Sequence, residues 1–495
     1  MVSSSDDPSY SEGSLTPAQR RRLTRFTSDR SRIAALATTG LIAAFMQTLV
    51  TPIIPELPQL LDSTSADTTW VLSTTLLAAA VSNPISGRLG DMYGKRRIMV
   101  ALLIIMLAGS IICALSTTLI PMIVGRALQG FGLGTISLGI SILRDIVHPK
   151  SLGGAIALVS ATLGVGAALG LPIAAIIAQS VDYHYLFWLA SFLCLISITL
   201  VLTIIPVSTL RSGGEFDFVG ALGFALGLVG ILLGVSKGNE WGWGAPSTLG
   251  LLFGGVVVLV LWGFYELRKK NALVDLRVAA RRPVLLTNLA SISIGFSFFV
   301  ITAAAPVLLE GPRPSGIGLG HNLLLASLCL VPLGLVMFLM SPVAARLSAA
   351  RGPRTSLILG GVVITGAFTT GVFLHSELWH VILITTAVGL GVGFAYAAMP
   401  TLIMRAVPPT ETAAANGLNS VMRTLGSTVS ATVVGIVLST QVTQIGGVGV
   451  PTSFAFQLIF MIGASVTLAG VILAAFIPKH GRAYGDTAGI PIQQG

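Results

Sequence analysis

Apolar residues along this chain form long runs separated by short polar segments. Each run has about 20 residues, the length that an α-helix needs to cross a hydrocarbon core of roughly 30 Å. We identify fourteen runs, at 33–55, 70–89, 97–117, 119–143, 152–179, 185–206, 217–236, 247–266, 284–306, 322–345, 355–374, 379–402, 412–440 and 453–477. The pattern predicts an all-α polytopic membrane protein with fourteen transmembrane helices.

A repeated charged stretch divides the runs into two groups. Residues 83–97 lie between the second and third runs, and a weaker copy at 341–354 follows 258 positions later. The identical pairs are Pro84/Pro342, Arg88/Arg346, Leu89/Leu347, Gly94/Gly352 and Arg96/Arg354. The duplication predicts two six-helix bundles, joined by a linker with two extra transmembrane helices. We expect a tail in the cytoplasm at each end of the chain, and we expect the N-terminal tail to be disordered. The bounds are 1–32 (tail), 33–206 (bundle), 207–283 (linker), 284–478 (bundle) and 479–495 (tail).

Composition and charge support the membrane class. The chain has 495 residues, of which 53% are hydrophobic and 10% charged, whereas soluble domains carry about 25% charged residues. If the chain starts in the cytoplasm and each run crosses the membrane once, all but four of the 29 Lys and Arg residues lie on the cytoplasmic side. The four exceptions are Arg126 and Arg423, which lie within spans, and Lys237 and Arg313, which lie on the outer side. This asymmetry follows the positive-inside rule. It explains the net charge of +10 without a nucleic-acid partner.

The three cysteines each lie inside an apolar run and form no metal-ligand or redox spacing. We therefore expect no disulfide framework, no metal site and no cofactor.

Two sequence motifs resemble a known family. Residues 87–97, Gly-Arg-Leu-Gly-Asp-Met-Tyr-Gly-Lys-Arg-Arg, fill every position of the pattern G-x-L-x-D-x-x-G-[RK]-[RK], the cytoplasmic signature of the major facilitator superfamily. Residues 126–130, Arg-Ala-Leu-Gln-Gly, are similar to the R-x-x-Q-G pattern of the same family. The order of six, two and six spans resembles the fourteen-span drug/proton antiporter branch, which is multidrug-efflux-like. So do Phe216-Asp217, Gly242-Trp243 and Glu266-Leu-Arg268 around the inserted pair.

The resemblance implies a secondary active transporter that exports small amphipathic molecules, drug-like compounds or metabolites, by alternating access. It implies a monomer in a bacterial cytoplasmic membrane, with both termini in the cytoplasm and a proton gradient as the energy source. Its partners would be a small-molecule substrate, protons and the lipid bilayer, and it would not be an enzyme. Parallel repeats that rock around a site at the bilayer midplane suit this mechanism. The alternative is a non-transporting membrane sensor or scaffold with a transporter fold.

The charged hairpins are predicted to latch the cytoplasmic ends of the bundles together when the cavity faces outward. Asp91 could pair with a facing arginine or accept hydrogen bonds from a helix N-terminus, where an anion is favoured. The alternative is a basic loop that only fixes orientation. The predicted latch comprises Gly87, Arg88, Gly90, Asp91, Gly94, Lys95, Arg96, Arg97, Arg346 and Arg354.

Two arginines within spans indicate a cavity. A central arginine costs about 2.5–3.5 kcal/mol on insertion scales, so it usually faces a cavity or a partner. Arg126 lies on a mostly polar stripe of span four, and Arg423 lies about 16 Å from the cytoplasmic start of span thirteen. The predicted cavity and coupling residues are Arg126, Gln129, Gly130, Arg423, Asn416, Asn419, Gln47 and Glu310. Alternatively, Arg126 bonds backbone carbonyls of a neighbouring helix, and the asparagines join helices to each other.

The chain departs from its relatives at two places. Many antiporters of this branch carry an aspartate in span one, where residues 45–52 here contain no acid. In span five, Leu171 separates Gly170 from Pro172, whereas the family has glycine directly before proline; we interpret Gly166, Gly170 and Pro172 as a helix-packing motif. Two guanidinium groups without an obvious carboxylate should repel cations. The hypothesis is that neutral-amphipathic or anionic compounds are preferred to quaternary ammonium compounds.

Overall fold

The computed structural model describes residues 28–54, 56–207, 211–269, 271–312, 318–445 and 448–478. The predicted C-terminal tail and residues 1–27 of the predicted N-terminal tail lie outside these ranges. The described chain is almost entirely helical.

The described helices fall into three groups along the chain. The first bundle contains α1 (Asp29–Thr48), α2 (Leu57–Leu60), α3 (Ser65–Tyr93), α4 (Lys95–Ala114), α5 (Leu119–Gly132), α6 (Gly134–Ile146), α7 (Pro149–Ser180) and α8 (His184–Ile204). The insertion contains α9 (Phe218–Trp241), α10 (Pro246–Arg268) and α11 (Leu276–Ala279). The second bundle contains α12 (Arg282–Glu310), α13 (Leu323–Leu328), α14 (Val331–Leu339), α15 (Ser341–Arg351), α16 (Pro353–Phe373), α17 (Leu378–Ala406), α18 (Thr412–Thr440) and α19 (Ser453–Ala475). Short 3₁₀ turns at Thr51–Ile53 and Pro409–Glu411 extend α1 and precede α18.

Within the described residues, twelve helices are long and apolar enough to cross a membrane, or thirteen if the bent pair α13–α15 counts as one span. The bend between Leu323–Leu339 and Ser341–Arg351 is 41°. Helix α3 has 29 residues, which is long enough, but serine, threonine and charged residues recur along it and make it less apolar. The membrane class is therefore confirmed, while the count of fourteen is not.

A small β-hairpin interrupts the helical pattern. Strands β1 (Val442–Ile445) and β2 (Val448–Pro451) pair antiparallel between α18 and α19, with Val442 opposite Pro451. The all-α prediction missed this element because the two strands together span only ten residues, too few to show a clear period in the sequence.

Each bundle has its own hydrophobic core. One cluster of buried residues is formed mainly by α1 to α8 and another by α12 to α19. The two charged hairpins have equivalent geometry: Gly94 and Gly352 have φ angles of 107° and 86°, which favour glycine. Arg96 donates a hydrogen bond to Leu202 O at the end of α8, and Arg354 donates one to Ala475 O at the end of α19. The sequence duplication therefore corresponds to a structural one.

Candidate functional site

A buried aspartate connects the first hairpin to the second bundle. Asp91, near the end of α3, is 1% exposed. Its Oδ2 atom accepts hydrogen bonds from the backbone N–H groups of Ala413 and Ala414, both at 3.0 Å. These donors belong to the first turn of α18, where free N–H groups and the helix dipole favour an anion. Of the two partners expected for Asp91, the structure shows the helix N-terminus. We call this end of the molecule the latch end.

A buried lysine extends this contact. Lys95, at the start of α4, places its Nζ atom 3.0 and 2.9 Å from the carboxylate oxygens of Asp145 on α6. The same ammonium donates to Thr412 Oγ1 at 3.1 Å and lies 3.7 Å from Asp91 Oδ1. One cation therefore joins two acids of the first bundle to the beginning of α18. Separating the bundles would leave Asp91 without its helix partner, which is costly for a buried charge.

Glycines let the two bundles approach closely at the latch end. A Cβ atom at Gly87 would lie 2.4 Å from the backbone oxygen of Ala413, and one at Gly417 would lie 2.5 Å from the backbone oxygen of Asn83. No real Cβ atom tolerates such distances, so α3 and α18 pack backbone to backbone here. This contact lies one to two turns from Asp91 and closes the same end of the molecule.

The other predicted latch residues divide into buried and exposed groups. Arg88 is buried and lines a small cavity with Glu266 and Glu411. A Cβ atom at Gly90 would lie 2.4 Å from Leu138 Cδ2, so this glycine brings α3 close to α6. Arg97 and Arg346 are exposed. The structure thus assigns contact between bundles to Asp91 and Lys95, whereas Arg96 and Arg354 bond within their own bundles.

The second hairpin lacks the acid and the lysine. The positions equivalent to Asp91 and Lys95 are Ala349 and Pro353. The symmetry-related contact, between α7 and α14, is made by small residues instead: a Cβ atom at Gly334 would lie 2.4 Å from Gly164 O. The charged residues that join the bundles are therefore present in the first hairpin and replaced in the second.

Beyond the latch, a line of polar side chains crosses from one bundle to the other. Ser137 Oγ on α6 lies 2.9 Å from Ser420 Oγ on α18 and donates to Asn83 Oδ1 at 3.1 Å. Asn416 Nδ2 lies 3.4 Å from Ser141 Oγ, one turn nearer the latch end. All five residues are buried. We call this set, Asn83, Ser137, Ser141, Asn416 and Ser420, the polar seam.

Arg423 lies at the inner end of the polar seam. It donates from Nη1 to Asn419 Oδ1 and from Nη2 to Ser420 Oγ, both at 2.9 Å. Its Cζ atom lies 5.0 Å from the ring centroid of Tyr396, a cation–π contact. Arg423 is only half-buried, and the ion pairs found among the described residues do not include it.

The asparagines serve as helix-to-helix connections. Asn419 Nδ2 donates to Asn288 Oδ1 at 3.0 Å and to Ser291 Oγ at 2.6 Å, both on α12. Because Asn419 also accepts from Arg423, it fixes the guanidinium relative to α12.

Arg126 is located differently from Arg423. It is 0% exposed and donates from Nη1 to Met46 O at 3.2 Å and to Gln129 Oε1 at 2.7 Å, with Nε 3.4 Å from Val71 O. Gln129 in turn donates to Ser110 Oγ at 2.8 Å. All these partners belong to the first bundle, so the structure places Arg126 inside that bundle and away from the seam. These are the contacts of the structural alternative, backbone carbonyls of neighbouring helices.

The remaining predicted cavity residues are separated from one another. A Cβ atom at Gly130 would lie 2.4 Å from Thr75 O, so Gly130 packs α5 against α3. Glu310 is exposed at the end of α12, far along the helix from Asn288. Gln47 is exposed although Met46 before it is buried. A polar side chain inside a span avoids lipid, so we infer that Gln47 faces open space within the molecule.

The motif in span five packs against the first helix. A Cβ atom at Gly166 would lie 2.3 Å from Leu41 O, and one at Gly170 would lie 2.2 Å from Thr48 Oγ1. Pro172 is buried within α7. These residues therefore set the distance between α1 and α7.

Three residues of the site were missed by sequence reasoning: Tyr396, Ser420 and Asp145 in its role as the Lys95 partner. Ser420 could have been found, because it precedes Arg423 by three positions and so shares its helix face. Tyr396 carries no such signal, since it lies in the glycine-rich run of α17 far away in sequence. No metal-binding group of His, Cys, Asp or Glu occurs in the part of the chain that the structure describes.

Comparison with known proteins agrees with this architecture. The family model of the Major Facilitator Superfamily matches residues 36–431 and 289–488. The chain belongs to the major facilitator superfamily. Membership in a family of transporters makes it a multi-pass membrane transporter and not an enzyme.

Curated members of the superfamily resemble the chain over most of its length. The Lincomycin resistance protein LmrB of Listeria monocytogenes is 25% identical over 460 residues, covering 90% of this chain and 96% of the relative. The Multidrug resistance protein B homolog of Mycobacterium tuberculosis is 24% identical over 524 residues, covering 94% of each. Among solved structures, the proton:xylose symporter XylE shares the fold, with a TM-score of 0.62, 12% identity and coverage of 93% of this chain and 98% of that one.

Proposed function

We propose that this major facilitator is a secondary active exporter of small amphipathic molecules, drug-like compounds or metabolites, which works by alternating access. Its two bundles would rock around the half-buried Arg423, so that the chamber between them opens to one side of the membrane at a time. Relatives whose names refer to lincomycin and multidrug resistance support the direction of transport.

The observation that carries the proposal is that the contacts joining the two bundles at the latch end are separable. Asp91 binds the first turn of α18 by hydrogen bonds, and Ser137 meets Ser420 by a single one. Such contacts can break and re-form without disrupting the two large hydrophobic cores, because each of these cores lies mainly within one bundle. Two packed bodies joined by separable contacts are suited to rigid-body motion.

The topology follows from the same reasoning. We count α3 and the bent α13–α15 as spans, which gives fourteen. Helix α3 packs between α5 and α18 and so presents little surface to lipid, which accounts for its lower hydropathy. The latch end would face the cytoplasm of a bacterium, together with both termini, because the basic residues concentrate there. The structure would then represent the state in which the cytoplasmic end is closed.

The proposed energy source is the proton gradient, with no bound cofactor, in a monomeric protein. The proton-carrying group is not assigned to span one, since residues 45–52 contain no acid. Asp91 and Asp145 lie beside Lys95 at the latch end, and Glu310 is exposed at the end of α12.

Transport in reconstituted vesicles tests the proposal. Purified protein is placed in liposomes, a pH gradient is imposed, and uptake of a mixed panel of anionic and cationic amphiphiles is followed. Accumulation that disappears when the gradient is collapsed is the expected result. Transport that is unchanged by collapsing the gradient would remove proton coupling, and no flux of any probe would favour the sensor or scaffold alternative.

A further inference from the structure

The two arginines inside the helical bundles differ in what they offer a ligand. Arg126 is fully buried and bonded within one bundle, whereas Arg423 is half-buried where the two bundles meet. A guanidinium group carries five N–H donors. In the described contacts, Arg423 uses one on Asn419 and one on Ser420. The accessible part of the side chain can therefore donate to a bound molecule.

The charge of Arg423 is not balanced by its surroundings. Its hydrogen-bond acceptors are an amide oxygen and a hydroxyl, both neutral. The salt bridges of the described chain involve Arg32, Lys95, Lys237 and His184 with their acids, and not Arg423. An uncompensated cation at this depth attracts an anion and repels a cation.

One aromatic ring adjoins the same guanidinium, and a second ring lies beside the first. Tyr396 lies beneath it, and the ring centroid of Phe298 is 6.2 Å from that of Tyr396. Phe298 is half-buried, so part of its ring is accessible. A Cβ atom at Gly295 would lie 2.2 Å from Arg423 O, which shows that α12 and α18 touch here and hold the rings and the arginine in one place. Flat apolar groups stack well on such rings.

We propose that Arg423, Tyr396 and Phe298 form a subsite that selects amphipathic organic anions bearing an aromatic ring. The anionic group, a carboxylate or sulfonate, would bind the guanidinium bidentately, and the ring would lie against Phe298, while the buried Tyr396 supports the guanidinium from beneath. This inference rests on the proposed transport function and narrows its substrate class. It also assigns the selectivity to Arg423 alone, since Arg126 lies away from the seam.

Probes with one ring system and different charges test the subsite. Naphthalene-2-sulfonate is a permanent anion and (2-naphthylmethyl)trimethylammonium a permanent cation, so both suit transport and binding measurements. The neutral 2-naphthalenemethanol crosses bilayers unaided and serves only in binding. Binding is measured by equilibrium dialysis with purified full-length protein, and transport by uptake into proteoliposomes.

We expect the wild-type protein to bind the sulfonate at least tenfold more tightly than the trimethylammonium compound. Arg423→Gln should abolish this preference and leave binding of the alcohol within threefold, while Arg423→Lys should retain part of it. Phe298→Leu should weaken sulfonate and alcohol alike, because both use its partly accessible ring. Arg282→Gln, an exposed position with the same change in charge, is the matched control and should retain the preference.

Preference of the wild-type protein for the cation, or a sulfonate preference unchanged in Arg423→Gln, would overturn the subsite. If Arg423→Gln does not yield folded protein, Arg423→Lys decides: an unchanged affinity for sulfonate would count against bidentate recognition. Sulfonate binding without transport would contradict the proposed function and leave the subsite standing. Transport of the cation alone would contradict the subsite and leave the proposed function standing.

Discussion

Removing the charge of Asp91 should open the latch end. In Asp91→Asn the side chain keeps its shape and one carbonyl oxygen, so it can still accept both short hydrogen bonds from α18, which end on a single carboxylate oxygen. It loses the negative charge that faces the first turn of that helix and the Lys95 ammonium 3.7 Å away. The substitution therefore tests electrostatics rather than packing.

The size of the effect follows from these contacts. Hydrogen bonds to a charged group contribute about 1.5–3 kcal/mol each, and neutral ones about 1 kcal/mol. An anion at a helix N-terminus adds about 0.3–1 kcal/mol, or up to about 2 in partly buried geometry. A loss of about 2 kcal/mol for the closed state is therefore expected, because Lys95 keeps Asp145 as a partner. This loss corresponds to a shift of about 30-fold in the ratio of closed to open molecules.

Distance measurements across the latch end can detect this shift. Tyr93 and Ala350 are exposed and lie on opposite hairpins, so Tyr93→Cys and Ala350→Cys carry spin labels for double electron–electron resonance. The three native cysteines are buried and contribute little labelling. Asp91→Asn should move the distance distribution toward longer values.

Glu215→Gln is the control, because Glu215 is exposed in the linker and loses the same charge. An unchanged distribution in Asp91→Asn, or an equal shift in Glu215→Gln, would refute the reasoning that the carboxylate on α18 holds the bundles together.

Three further substitutions give distinct outcomes. Gly417→Val should slow the initial rate of transport at least tenfold, because the latch end cannot close around a Cβ atom, whereas Gly366→Ala, which has open space around it, should not. Arg126→Gln should lower the free energy of unfolding by about 2–4 kcal/mol, since it removes the donor of buried acceptors. The midpoint temperature of thermal unfolding in detergent should decrease clearly in Arg126→Gln and change little in Arg423→Gln. Ser420→Ala should reduce kcat with KM for naphthalene-2-sulfonate nearly unchanged, as it removes the hydroxyl that joins Arg423 to the first bundle; a change confined to KM would contradict this.

Much of the fold was accessible to sequence reasoning because hydrophobic run length is a strong signal in membrane proteins. The charged hairpins were equally clear, since Gly94 and Gly352 mark turns that need positive φ and the basic residues beside them lie between long apolar runs. The count of fourteen spans stays a prediction where polar residues serve contacts between bundles, as in α3. There the requirements of the interface outweigh those of the lipid.

The site was harder to predict because it depends on which helices meet. An arginine on a polar stripe looks the same in sequence whether it is fully buried against carbonyls of its bundle, as Arg126 is, or half-buried beside a serine that contacts the facing bundle, as Arg423 is. The ring of Tyr396 beneath Arg423 comes from a helix that the local pattern cannot relate to it. Residue type and depth could be read from the sequence, whereas the neighbours could not.

The most direct test of a chamber that opens to one side at a time is the labelling of Gln47. In proteoliposomes, Gln47→Cys should react with a membrane-impermeant maleimide added on the side opposite the latch end, because its side chain is exposed inside an otherwise buried helix. Adding Asp91→Asn should slow that reaction and allow labelling from the latch side. Two results would contradict the account: equal reactivity of Gln47→Cys from both sides in protein that keeps Asp91, or no reaction of Gln47→Cys from either side with or without Asp91→Asn.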